Sequence, residues 1–295
     1  MNLENYLSLL SFQGCKISIE DFENLRIKNI KSPEEINSIV SNIETMEYLR
    51  INKSWWKQAE KDYRHCLKSS YKLTWPGQKD YPEVFSVYFK YPPILTYMGE
   101  SNLHKDFFPI TFVGSRRSDE ITLNWMDFYM SQVIQDKKIC VVSGGARGID
   151  QKAHSIAIRT QSPTVCFLPS GLDNIYPFSL YELKKEILDT GGALISCFSP
   201  YQSMYKSFFH IRNRLMACYS KLVVILQAQS RSGTMLTAKK ALDFGVPVSV
   251  LPGSPLSKNF TGNLQLLYDG AFLLRDHRDL SSLVETLNSQ EQNFY

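Results

Sequence analysis

Four turns of this sequence gather glycines, hydroxyls and cations, and each offers the groups that hold an anion. The richest is Ser143-Gly144-Gly145-Ala146-Arg147-Gly148. A glycine-rich turn between a strand and a helix lets the backbone approach a phosphate, whose charge the free amides and the positive helix end then favour. Its G-G-x-x-G spacing is neither the dinucleotide fingerprint nor a Walker P-loop, and glycines would also serve a plain tight turn. Arg147 adds a guanidinium suited to bidentate phosphate contact. Gly114-Ser115-Arg116-Arg117 repeats the arrangement. The simpler account of each arginine, a solvated charge or a partner for Asp119 or Asp150, competes one for one.

The third element is Lys206-Ser207-Phe208-Phe209-His210-Ile211-Arg212-Asn213-Arg214. Aromatics among cations suit stacked bases, and one base on one ring is worth about 1–3 kcal/mol whatever the sequence. One of the two phenylalanines is expected in the core. The fourth, Ser230-Arg231-Ser232-Gly233-Thr234, precedes another helical pattern, where its hydroxyls and amides serve an anion or simply an N-cap. Ser143, Asp150 and His154 suggest a hydrolase at first sight, yet no G-x-S-x-G elbow surrounds the serine. Asp150 and His154, four apart on a helical pattern, are expected to form a hydrogen-bonded pair that buttresses the Arg147 turn. No metal ligand set stands out.

Positioning these turns requires a frame, and the frame is legible. From Pro109 onward short apolar, β-branched runs alternate with helix-length amphipathic segments, the pattern of βα units around a parallel sheet. Strands are predicted at Ile110–Gly114, Ile139–Ser143, Thr164–Leu168, Ala193–Ser196, Leu222–Leu226, Pro247–Leu251 and Ala271–Leu274. Helices are predicted at Asp119–Gln135, Ile149–Arg159, Ser179–Asp189, Ile211–Tyr219, Thr234–Phe244, Asn263–Tyr268 and Leu280–Leu287. The expected class is α/β, an extended Rossmann-like, doubly wound, mostly parallel sheet over residues 71–290. Open sheets of this kind bind ligands beyond the carboxyl ends of their strands, where the four turns fall. Residues 1–70 are polar and helix-patterned and are expected to form a small helical domain, with a SAM-like fold as one form. Residues 71–98 are turn-rich, with Trp75-Pro76-Gly77 and Tyr91-Pro92-Pro93, and read as an extension packed on the sheet.

Composition narrows the classes. The chain has 295 residues, 43% hydrophobic and 21% charged, a globular balance that excludes a disordered or fibrous chain. A net charge of +4 permits a polyanion partner without requiring one. Six scattered cysteines, several in apolar runs and none in a CxxC pair, read as buried thiols in a reducing cytoplasm. No secretory signal is evident, and no apolar run approaches the roughly 18 residues of a membrane span.

Residues 71 to about 275 resemble the DNA processing protein A family, also called DprA or Smf. The resemblance rests on Val113-Gly114-Ser115-Arg116, on Ser143 to Asp150 followed by Ala153-His154, and on Gly171-Leu172-Asp173 with Tyr176-Pro177. It continues through Phe209, Arg212-Asn213-Arg214, Ser232-Gly233, Thr237-Ala238, Pro252-Gly253, Gly262-Asn263 and Gly270-Ala271. Each motif is weak; their shared order over some two hundred residues is specific. The resemblance implies an extended Rossmann fold that dimerises and binds single-stranded DNA in a basic pocket. It also implies that the protein helps to load the RecA recombinase during natural transformation. No catalysis and no cofactor are implied. Carried over, Gly114, Ser115, Arg116, Arg117, Gly144, Arg147 and Gly148 would line the pocket with Ser232 and Gly233. Lys206 would hold phosphate, Phe209 would meet a base, and Arg212, Asn213 and Arg214 would brace or extend the site. Cys197 and Gln227 stand where the family usually carries acidic residues. Two alternatives remain. One is an enzyme resembling the phosphoribohydrolases of the related Rossmann-like group, whose P-G-G-x-G-T-x-x-E hallmark is missing here. The other is a paralogue that senses nucleotides or foreign DNA.

Overall fold

The computed structural model describes residues 2–136 and 138–292. Residues 71–292 build a nine-stranded sheet. Its strands are β1 (Lys72–Thr74), β2 (Leu95–Gly99), β3 (Phe108–Val113), β4 (Ile139–Ser143), β5 (Thr164–Phe167), β6 (Ala193–Ser196), β7 (Leu222–Ile225), β8 (Val248–Val250) and β9 (Phe272–Leu273). Their spatial order is β1-β2-β6-β5-β4-β3-β7-β8-β9. From β6 to β9 every pairing is parallel; β1 on β2 and β2 on β6 are antiparallel. The order runs outward from β3 in both directions, so the switch point of this doubly wound α/β sheet lies between β3 and β7.

Both faces of the sheet are buried, which is why its central strands read as unbroken apolar runs. Cys140, Val142, Val223 and Ile225 enter one core with residues of the helices Phe208–Tyr219 and Gly233–Asp243. The alternate residues Ile139, Val141, Leu222 and Val224 enter the other, with the helices Ile149–Arg159 and His277–Gln292. The segment Glu120–Asp136 also covers this second face, with a π turn at Met126–Met130. A period of two, repeated strand by strand, splits the side chains between the layers.

β1 and β2 were not expected. Each lies in the turn-rich stretch, where three residues are too few to show alternation and Pro92-Pro93 masks the start of the other. Residues 3–68 are helical, in the helices Leu3–Leu10, Ile19–Ile27, Ile43–Ile51 and Trp55–Lys68 with short 3-10 turns between. Leu7, Leu10, Phe22, Ile36, Leu49 and Trp55 form their core, which Trp75 and Ile94 from the sheet side complete. A second tie joins His65 to Asp173 at 2.6 Å, while the Tyr71 hydroxyl donates to the other oxygen of the same carboxylate. No helix among the described residues is long and apolar enough to cross a membrane.

Candidate nucleic-acid interface

The turns after β3, β4 and β7 meet at the switch point, and the first turn of the helix Phe208–Tyr219 closes over them. Together they enclose a cleft of about 1110 Å³. Each wall is held by backbone. Ser115 donates its amide to the Gln227 carbonyl at 2.8 Å, and the Gln227 side-chain oxygen accepts the Asp119 amide at 2.9 Å. Gln227 is fully buried and acts as a strut between two walls. The Ser115 hydroxyl closes the Arg116-Arg117 turn by donating to the Arg117 carbonyl. Asn263 seals the base of the third wall: it donates to the Leu226 and Leu251 carbonyls and accepts the Ala228 amide.

Beneath the cleft lies a buried ion pair. Asp150 Oδ2 accepts the amides of Gly144 at 3.2 Å and Ala146 at 3.3 Å, and stands 3.7 Å from Arg212 Nη1. Burial pushes the Asp150 carboxyl up while Arg212 and the two amides pull it down; burial lowers the Arg212 guanidinium. Arg212 is 4% exposed, lines the cleft, and leaves Nε and Nη1 without a hydrogen-bond partner among the described residues. Buried, unpaired donors of a cation are costly, so Asp150 is the partner that makes this buried charge tolerable. A Cβ on Gly144 would land 1.1 Å from Arg212 Nη1, so only glycine leaves room for this guanidinium.

Phe209 stands between two cations, with Arg116 at 5.3 Å and Arg212 at 5.4 Å from its ring, and Tyr176 meets it edge-on at 6.0 Å. Neither phenylalanine is fully buried: Phe208 stacks on Phe198 at 4.2 Å beside the cleft, whereas Phe209 lines it. Lys206, Asn213, Ser232 and Gly233 line the same cleft. Arg116, Arg117, Arg147 and Lys206 are exposed and have no carboxylate partner among the described residues, so the simpler ion-pair account does not describe them. Arg147 and Gly144 face an adjoining groove of about 560 Å³, on whose lining Arg116, Arg117, Tyr176 and Phe209 also appear.

Three further expectations are corrected. Arg214 neither braces nor extends the cleft; its guanidinium lies 4.0 Å over Phe89 and 5.6 Å from Phe244, on the other side of its helix. Two residues of helix turn a side chain by about 200°, so Arg212 and Arg214 point apart. Gly148 lines neither space; at φ +79° its missing Cβ would stand 2.4 Å from the Ser115 carbonyl, which makes it the hinge that seats the Arg116 turn. Gly148→Ala is therefore expected to cost about 1–3 kcal/mol in denaturant unfolding. The supposed Asp150–His154 pair does not form, because Asp150 turns to backbone amides and Arg212. His154 instead shares a hydrogen bond with Thr164 at 2.7 Å.

His154 is fully buried, and burial lowers its pKa to about 3. A histidine held below its ordinary value near 6.5 stabilises the fold above that value and loses the contribution as pH falls toward 3. This group alone should make the protein about 2 kcal/mol less stable at pH 5 than at pH 7, and His154→Gln should flatten that part of the profile. Burial also raises the Cys15, Cys66, Cys197 and Cys218 thiols to about 12 and pushes up Cys140 and Cys166, so none is a thiolate at neutral pH.

A model of the family described as DNA recombination-mediator protein A matches residues 72–285, which contain every wall of the cleft. The chain belongs to this family. Among curated members, Protein Smf of Synechocystis is 32% identical over 223 residues, covering 74% of this chain and 55% of its own length. DNA processing protein DprA of Streptococcus pneumoniae is 30% identical over 202 residues, covering 68% and 70%. The chain thus spans about half of the first relative. The crystal structure of the pneumococcal protein superposes with a TM-score of 0.78 at 23% identity, over 96% of this chain and 98% of that one, and shows the shared fold. DNA processing protein A of Helicobacter pylori, whose structure concerns a single-stranded DNA binding mode, superposes with a TM-score of 0.65 at 26% identity. That match covers 73% of this chain and 96% of that one.

Sequence reasoning passed over Tyr176, Gln227, His210 and Asn259 as members of the cleft. A tyrosine beside a proline in a sheet-tip turn was a usable signal for Tyr176. Asn259, which donates to Asp119 at 3.0 Å from 140 residues away, gave none.

Proposed function

We propose that this chain binds single-stranded DNA in the switch-point cleft, with its phosphates on Arg116, Arg117 and Lys206 and a base against Phe209. One observation carries the proposal: a partly exposed aromatic ring flanked by two guanidinium groups on the wall of an open cleft. Such a ring takes the face of an unpaired base, which a duplex does not present. The single-stranded DNA binding mode of the Helicobacter pylori relative supports the same ligand. The cleft contributes binding and no covalent step; its deepest carboxylate, Asp150, is already engaged by two amides and Arg212. In the cell the protein acts in the cytoplasm as a homodimer and assists loading of the RecA recombinase on incoming strands, as membership of a recombination-mediator family supports.

Fluorescence anisotropy tests the ligand. Oligo-dT should bind at least roughly tenfold more tightly than a duplex of equal length at matched salt, a difference of about 1.4 kcal/mol. Equal affinity for both would overturn the proposal. Incubation with nucleoside monophosphates should release no free base; release would favour the phosphoribohydrolase alternative.

A further inference from the structure

The groove beside the main cleft has a use of its own. It lies on the far side of Phe209 and is lined by Arg116, Arg117, Arg147, Tyr176, Pro177 and Phe178, with no carboxylate among its lining residues. Phe178 is 81% exposed, on a turn whose other large side chains are half-buried or better, and among the described residues its one ring neighbour is Tyr181 at 5.4 Å. No core accounts for a phenylalanine held in water at the mouth of a groove with three arginines. Nor is its turn loose. Gln151 donates one amide nitrogen to the Gly145 carbonyl at 3.0 Å and to the Ser179 hydroxyl at 2.8 Å, tying the Arg147 turn to the Phe178 turn. Gly145, at φ +69°, brings its backbone against Leu180, the first residue of the helix that follows Phe178. The two lips of the groove are therefore fixed relative to each other, with the cation on one and the ring on the other.

We propose that this groove is a second nucleotide subsite, in which Phe178 stacks a base and Arg147 holds the adjoining phosphate. The inference rests on the single-strand reading of the main cleft. The strand passes Phe209, whose ring partitions the two spaces, and continues over the Arg147 turn. The occupant is a continuation of the same strand, because the groove shares Arg116, Arg117, Ala146, Tyr176 and Phe209 with the cleft and every charged residue on its lining is an arginine. Stacking by an exposed ring tolerates any base, so the subsite adds affinity and length dependence without sequence preference.

The test is anisotropy against oligo-dT strands from about 4 to about 16 nucleotides, the usual range for single-strand grooves. For the native chain, affinity should climb with length until both spaces are filled. Phe178→Ala should weaken the longest strands about fivefold or more, with a loss that shrinks as the strand shortens, while Phe178→Trp restores it. Arg147→Ala should flatten the salt dependence of long-strand binding by about 0.7 in slope, which Phe178→Ala should not. Because Phe178 touches no core, its thermal midpoint serves as the folding control and should match the native chain. If Phe178→Ala follows the native chain at every length, the second subsite falls and the main cleft stands. If the native chain binds no oligo-dT at any length, the single-strand reading falls and the subsite with it.

Discussion

Asp150→Ala is expected to be the most damaging single substitution at the site, lowering unfolding free energy by about 3–5 kcal/mol and the thermal midpoint by roughly 10 °C. The carboxylate does two jobs from one oxygen. It accepts the Gly144 and Ala146 amides that shape the phosphate-type turn, and it is the only carboxylate within ion-pair distance of Arg212 among the described residues. Without it a guanidinium that is 4% exposed keeps its charge in a site that burial already disfavours. Removing one partner of a buried pair leaves the other uncompensated, which costs far more than the pair is worth as a whole. Saturating oligo-dT should recover part of the loss, since a ligand that binds only the folded state stabilises it by mass action. Differential scanning calorimetry with and without the oligonucleotide reads both effects. A variant that melts with the native chain would show that the pair does not organise the cleft.

Phe209→Ala and Arg116→Ala should fail in different ways. The alanine at 209 removes the stacking face and should weaken oligo-dT binding by about 1–3 kcal/mol, with the salt slope preserved. The alanine at 116 removes a phosphate contact and should weaken binding while flattening the slope by about 0.7. Lys206→Ala should follow Arg116→Ala. None of the three variants should disturb folding, since Arg116 and Lys206 are exposed and Phe209 is half-buried at the cleft wall. Titrations over a range of salt separate the two signatures. Equal slopes for all three variants would mean that the cations face solvent rather than a strand.

The sheet was legible because its strands are buried on both faces. Ile139–Ser143 and Leu222–Ile225 announce themselves as apolar runs between helical patterns, and the ligand-bearing turns follow from where such strands end. The edge was not, since β1 is three residues long and β2 begins after two prolines. Within the site, residue types pointed to the right chemistry, but side-chain direction separated neighbours of like kind. Arg212 and Arg214 read identically as cations, and only helix geometry sends one beneath the cleft and the other over Phe89. That angle could have been counted from the sequence once the helix start was known. Other pairings belong to the tertiary structure alone: His154 with Thr164, and Gln227 between two walls. Phe178, quoted in no motif, became visible only as an exposed ring beside three arginines.

Photo-crosslinking locates the strand most directly. An oligo-dT carrying 5-iodouracil, irradiated with the protein and digested, should attach to the peptide that holds Phe209 and to the turn that holds Tyr176 and Phe178. Competition with unlabelled oligo-dT should abolish both products. Crosslinks confined to other faces, such as the helix Gly233–Asp243 or the helices of residues 3–68, would contradict a groove in which cations from separate turns close on one unpaired strand.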